Sequence, residues 1–250
     1  MRRLACCALL AAIASPATAY LPPATAILKR SAQRREELRL HALEVRGTIA
    51  FSGAAADRLR ASGVAAPPDA AIPAVLQLKV PGRCRLELAP EGTPPAQRPT
   101  LAVRASRVTG TRGLGEVPAA RALAGAVCAL LAEQGAGPEP ERGLAQRLVQ
   151  HGVDLREVSF GREQGRVAWV IGGRPQDGRP QAWIDKQSLL PVRLVAAFGG
   201  PTRDVRLLDL GGAGAERFPR AIEVWGDGRL EARFTAGTVT PNPRLPDALF

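Results

Sequence analysis

The chain has 250 residues, a formal net charge of +11, 46% hydrophobic and only 4% aromatic residues. Such a charge raises nucleic acid, acidic lipid surfaces or an acidic partner. However, only Lys29, Lys79 and Lys186 are lysine, and the rest is arginine in a chain crowded with Ala, Gly and Pro, which reads as a compositional habit. Scarce aromatics argue against a base-stacking surface, so no nucleic acid is expected.

Arg2 and Arg3 precede an apolar run at 4–14 that is too short to span a bilayer, and Ala17-Thr18-Ala19 offers small residues for cleavage. Residues 1–19 therefore read as a signal peptide, with a periplasmic destination. Cys6 and Cys7 lie too early in it for a lipoprotein motif. Cleavage leaves 250 − 19 = 231 residues, a charge of +9 after loss of two arginines, and no second apolar stretch of membrane-spanning length.

A helix is predicted over 24–43, with Ile27, Leu28, Leu38 and Ala42 near one side and Arg34 and Arg35 interrupting the stripe. Its basic residues suit a solvated face, or anionic lipid headgroups. Alternation predicts a strand over 45–51, and an Ala/Gly/Pro-rich loop follows over 52–70, with room for one helical turn near 57–60. Strands at 74–80 and 83–88 are joined by Pro81-Gly82, and a Pro-rich loop at 89–99 leads to a short strand at 100–104. The middle of the chain turns helical at 117–133 and 140–151, with Gly152 placed for a C-cap, so 117–151 is a helical insertion. A strand at 154–160 re-enters the sheet.

The C-terminal half is a meander. Residues 166–173 pair with 182–198 across the connection 174–180. Within 182–198, Asp185-Lys186-Gln187-Ser188 suits a type I turn, with a strand from Leu189. Asp227-Gly228 lies between two further strand-like runs and is a strong hairpin signal. The whole is one α+β domain, residues 20–250, built on a large antiparallel sheet.

Two cysteines remain in the exported chain. Cys84 alternates with Leu86 and Leu88, and Cys128 lies on the apolar stripe with Leu123, Val127, Leu130 and Leu131. Both face a core, so a disulfide and two separate buried thiols are both open. No catalytic constellation is evident. His41 and His151 stand at predicted helix ends without ligands at metal spacing and read as caps. No Ser sits in a nucleophile elbow, Gly110, Gly113 and Gly115 lack phosphate-loop spacing, and Gly211-Gly212-Ala213-Gly214 reads as a turn. No enzyme, metal or cofactor is expected.

An N-terminal helix, the strand VRGTIAF, the pair ending in CRLEL, a helical insertion, RVAWVIGG, QAWIDKQSLLPVRL, FPRAIEVW and a closing LPDALF together resemble the LolA/LolB-like superfamily. The most specific part is the hairpin of Trp183, Asp185, Leu190, Pro191, Val192 and Arg193. The resemblance implies a strongly curved antiparallel sheet, an incomplete barrel whose concave apolar face is covered by helices and accepts lipid or lipoprotein acyl chains. By strand alternation the inward candidates are Val45, Ile49, Phe51, Leu76, Leu78, Leu86, Leu88, Trp169, Ile171, Ile222 and Val224. The same residues fill a dry core if no room is left. In that case a scaffold or sensor domain binding an envelope protein is the alternative, with a cryptic hydrolase third.

Overall fold

The computed structural model describes residues 21–64, 70–104, 107–133, 139–210 and 217–250. The expected signal peptide and the turn at 211–214 lie outside them. Twelve strands make one sheet: β1 (Ala42–Phe51), β2 (Ile72–Lys79), β3 (Arg83–Leu88), β4 (Thr100–Arg104), β5 (Arg107–Gly110), β6 (Val158–Glu163), β7 (Arg166–Ile171), β8 (Gln181–Asp185), β9 (Pro191–Ala197), β10 (Thr202–Leu208), β11 (Ala221–Gly226) and β12 (Arg229–Pro241). Among the described residues four α-helices accompany them: α1 (Ala24–Glu36), α2 (Gly53–Ala61), α3 (Pro118–Val127) and α4 (Glu141–Gln150). A π-helical turn, Cys128–Ala132, continues α3.

Every pairing is antiparallel, and the order is β5-β4-β3-β2-β1-β12-β11-β10-β9-β8-β7-β6. The sheet is open, with β5 and β6 at its edges, and β1 and β12 join its two arms. Registers stack like with like across the helix-covered face. Val45 opposes Leu76, which opposes Leu86, which opposes Leu101. On the other side Ile49 opposes Phe234, which opposes Ile222, which opposes Leu207. A period of two thus gives one apolar surface running through both arms. The expected α+β class and incomplete barrel are the observed ones.

Local chemistry explains the boundaries. Asp227 and Gly228 both have positive φ, 49° and 72°, and form a two-residue loop between β11 and β12, as the Asp-Gly pair predicts. In the β8–β9 turn Asp185 Oδ1 accepts from the backbone N–H of Gln187 and Ser188, at 3.1 and 2.6 Å. Leu189 then takes φ 61°, so the next strand begins at Pro191 and not at Leu189.

Several expected boundaries move. The first helix ends at Glu36, seven residues early, because Asn242 draws the chain into the sheet: its Oδ1 accepts from His41 N (2.7 Å) and its Nδ2 donates to Arg39 O (3.0 Å). His41 therefore sits beside β1 and caps no helix. Residues 53–61 of the expected loop form α2, which packs on β12 and buries Leu59. Tertiary contact decides that segment where its composition favours a loop. The strand expected from 154 starts at Val158, after Asp154 accepts from the N–H of Arg156 at 3.0 Å and turns the chain. The edge strand β5 has no signal in its own sequence and exists through its pairing with β4.

Candidate functional site

The face shared by both arms is covered by α3, which packs on β3 and β4 of one arm, on β10 and β11 of the other, and on β12 between them. The helix can lie this close because its sequence, PAARALAGAV, is mostly one carbon deep. Its alanines and Leu123 are fully buried. Cys128 then bonds to Cys84 of β3, with Cα atoms 5.6 Å apart, which settles the cysteine alternatives in favour of a disulfide. That bond fastens the π-helical end of the cover to the sheet.

A buried arginine holds the same end. Arg35 is 2% exposed, and its Nη2 donates to the carbonyl of Leu131 at 2.7 Å. A π-helical turn leaves carbonyls without their usual partners, and this guanidinium supplies one. Burial pushes the Arg35 pKa down to about 10. The residue that interrupts the apolar stripe of α1 thus faces the interior.

All eleven residues read as inward, from Val45 and Ile49 to Ile222 and Val224, lie in one buried cluster with α1, α3 and the π-helical turn. None of their side chains is more than 4% exposed. Trp169, with the guanidinium of Arg30 5.9 Å from its ring centroid, is the most exposed of them. The hairpin residues behind the family resemblance do structural work. Trp183 faces away from that cluster and packs with Ala168, Val170 and Val192. Arg193 lies 4.6 Å over the Trp183 ring and makes a two-point bond to Asp204, at 2.7 and 2.8 Å.

Space occurs at the margin of the cover. A cavity of about 220 Å³ lies where the two arms approach across the open side of the sheet. One wall is Val103 of β4 and Val108 of β5; the opposite wall is Ala197, Phe198 and Gly199, between β9 and β10. Gly125 and Cys128 form its floor, and Arg121, Arg147, Gln150 and His151 ring it from α3 and α4. None of the eleven inward residues lines it. Val103 nevertheless pairs with Cys84, so the cavity continues the apolar face.

The polar rim is uneven. Arg147 is committed: its Nε donates to Glu133 at 2.9 Å and its Nη1 to Gln150 at 2.9 Å. His151 is the C-cap residue of α4, its Nδ1 lies 3.3 Å from the Ala197 carbonyl, and its ring leans on Phe198 with centroids 4.9 Å apart. Burial holds its pKa below the ordinary value, so the imidazole is neutral at neutral pH. Arg121 has a buried Nε with no hydrogen-bond partner among the described residues. Sequence reasoning passed over Arg121, although a lone arginine in an alanine helix was a signal; Phe198 and Arg147 carry none, because chain folding alone brings them together.

No family model matches the sequence, and no curated protein matches it. Solved structures similar to this chain include a LolA superfamily protein from Nitrosomonas europaea, 12% identical, covering 92% of this chain and 98% of that one with a TM-score of 0.44. A second is a putative outer membrane lipoprotein-sorting protein domain from Vibrio parahaemolyticus, 8% identical, covering 90% and 94% with a TM-score of 0.44. A third, MucB in complex with MucA(peri), is 16% identical and covers 90% of this chain and 58% of that one, with a TM-score of 0.31. Among the described residues no helix is long and apolar enough to cross a membrane, and no group of His, Cys, Asp or Glu could hold a metal.

Proposed function

We propose that this chain is a non-enzymatic binding protein of the bacterial periplasm that holds lipid or lipoprotein acyl chains between the apolar face of its sheet and α3. The observation that carries the reading is the cavity at the open side of the sheet, which continues that face beneath the margin of the cover. At about 220 Å³ it is smaller than the ~300–1,000 Å³ of a site that encloses a drug-sized molecule. It would admit one end of a ligand, and a full chain requires α3 to move. Two features limit the cost of that movement, which also uncovers Leu123 and Val127. The five alanines of α3 each bury a single methyl group, and the disulfide fastens the helix at its C-terminal end. Against this, twelve methylenes contribute roughly 10 kcal/mol at ~0.8 kcal/mol each, before association and ordering costs.

The burial of all eleven inward side chains favours a second reading, in which the core stays dry and an edge strand, β5 or β6, takes an envelope protein as an added strand. Protein purified from the periplasm decides between them. Lipid recovered from it by extraction and mass spectrometry, with saturable micromolar binding of a fluorescent fatty acid, supports acyl-chain carriage. An empty extract together with no saturable binding would leave the partner-binding reading.

A further inference from the structure

We propose that Arg121 is the headgroup site for an anionic single-chain amphiphile, a ligand with an oxyanion, carboxylate or phosphate, at the end of an apolar tail. The inference rests on the acyl-chain reading and names the chemistry it would select. Of the two guanidiniums at the cavity, Arg147 is occupied by Glu133, with side-chain exposures of 11% and 10%. Arg121 is not occupied: no carboxylate or carbonyl meets it among the described residues, and its Nε is buried. A guanidinium without a partner is a cation with which an incoming oxyanion can form a charge-assisted hydrogen bond.

The guanidinium lies at the cavity wall, against the backbone of Gly199. A Cβ built on Gly199 would lie 1.8 Å from Arg121 Nη2 and 2.8 Å from Cζ, and Gly199 itself has φ 75°, which favours glycine there. Val103, Val108 and Phe198 stand across the same cavity and would take the first methylenes of the tail. Because the remaining rim groups are a committed Arg147, an amide and a neutral imidazole, the cavity holds one unanswered positive charge. A neutral or cationic lipid leaves it unanswered.

The test compares dodecanoate, dodecyl phosphate and methyl dodecanoate as competitors of a fluorescent fatty acid, on wild type, Arg121→Leu and Arg121→Lys, with thermal melting as a folding control. Wild type is expected to prefer the anions over the ester by about 10- to 100-fold, the range of a hydrogen bond to a charged group. Arg121→Leu reduces that ratio to within about twofold, and Arg121→Lys retains part of it. The tighter anion identifies the head as carboxylate or phosphate. Equal binding of anions and ester by wild type overturns the assignment of Arg121 while the acyl-chain reading stands. So does a preference that survives in folded Arg121→Leu protein. Failure of all three competitors and of the probe overturns both.

Discussion

Breaking the Cys84–Cys128 bond tests how the cover is held, and the effect can be worked out from the chain. The bonded residues are 44 apart in sequence. In the chain-entropy model a loop of that size restricts the unfolded state by about 13 cal/mol/K, or roughly 4 kcal/mol at 25 °C. Replacing both cysteines by alanine also deletes two sulfur atoms from positions that are 0% and 2% exposed. Each deletion adds about 1 kcal/mol of lost packing, by analogy with a buried methyl. The Cys84→Ala/Cys128→Ala protein should therefore be about 6 kcal/mol less stable. With a urea dependence of roughly 3 kcal/mol per molar, its midpoint falls by about 2 M. Reduction of the wild-type protein leaves the sulfurs in place and isolates the entropic part, a fall of about 1.3 M. Equilibrium urea unfolding followed by far-UV circular dichroism measures both. Midpoints of oxidised and reduced protein within a few tenths of a molar would refute the reasoning.

Arg35→Met removes the bond to the Leu131 carbonyl and leaves that oxygen without it inside the core. Offset by the guanidinium no longer having to be buried, the expected loss is about 2 kcal/mol, read from the same urea titration; unchanged stability would show that the π-helical turn needs no such partner. His151 gives a pH dependence with a definite sign. Burial lowers its folded pKa beneath the ordinary 6.5, so the unfolded chain takes up the proton first as pH falls. Its contribution is complete above about pH 6.5 and declines from there down to the folded pKa. Melting temperatures between pH 7.5 and 5 should thus fall more steeply in wild type than in His151→Gln, and parallel slopes would contradict the assignment.

Much of the sheet was legible because a period of two is local. Val45, Ile49, Leu76, Leu78, Leu86 and Leu88 could be assigned to one face from their own neighbours, and the register later stacked them. Asp227-Gly228 announced its turn, since only certain residues accept two successive positive φ values. Helix ends were less legible where a distant residue decided them. No glycine or proline near Glu36 marks the end of α1; Arg39 turns the chain with φ 49°, and Asn242, some two hundred residues away, holds the backbone of Arg39 and His41 there. Likewise α2 is helical because β12 offers Leu59 a surface, in a segment whose alanines and glycines were equally compatible with a loop.

Arginines mark the deeper limit of reading a sequence by pattern. In a chain with 34 lysines and arginines, any one of them is most simply placed on a solvated face. Arg35 and Arg121 break that rule in opposite ways. Arg35 is drawn inward by a carbonyl that the π-helical turn sets free, so its position depends on a backbone irregularity that composition does not encode. Arg121 stands in an alanine helix whose other faces are sealed against the sheet, and a residue there must point to whatever space remains. That space is bounded by Val103, Phe198 and Gly199, residues separated by nearly a hundred positions and brought together only when the two arms of the sheet close on the helix. A stripe of inward apolar residues therefore specifies where the core is. Where a ligand could begin to enter is set by Arg121, a charged side chain at the cavity whose buried Nε has no partner among the described residues.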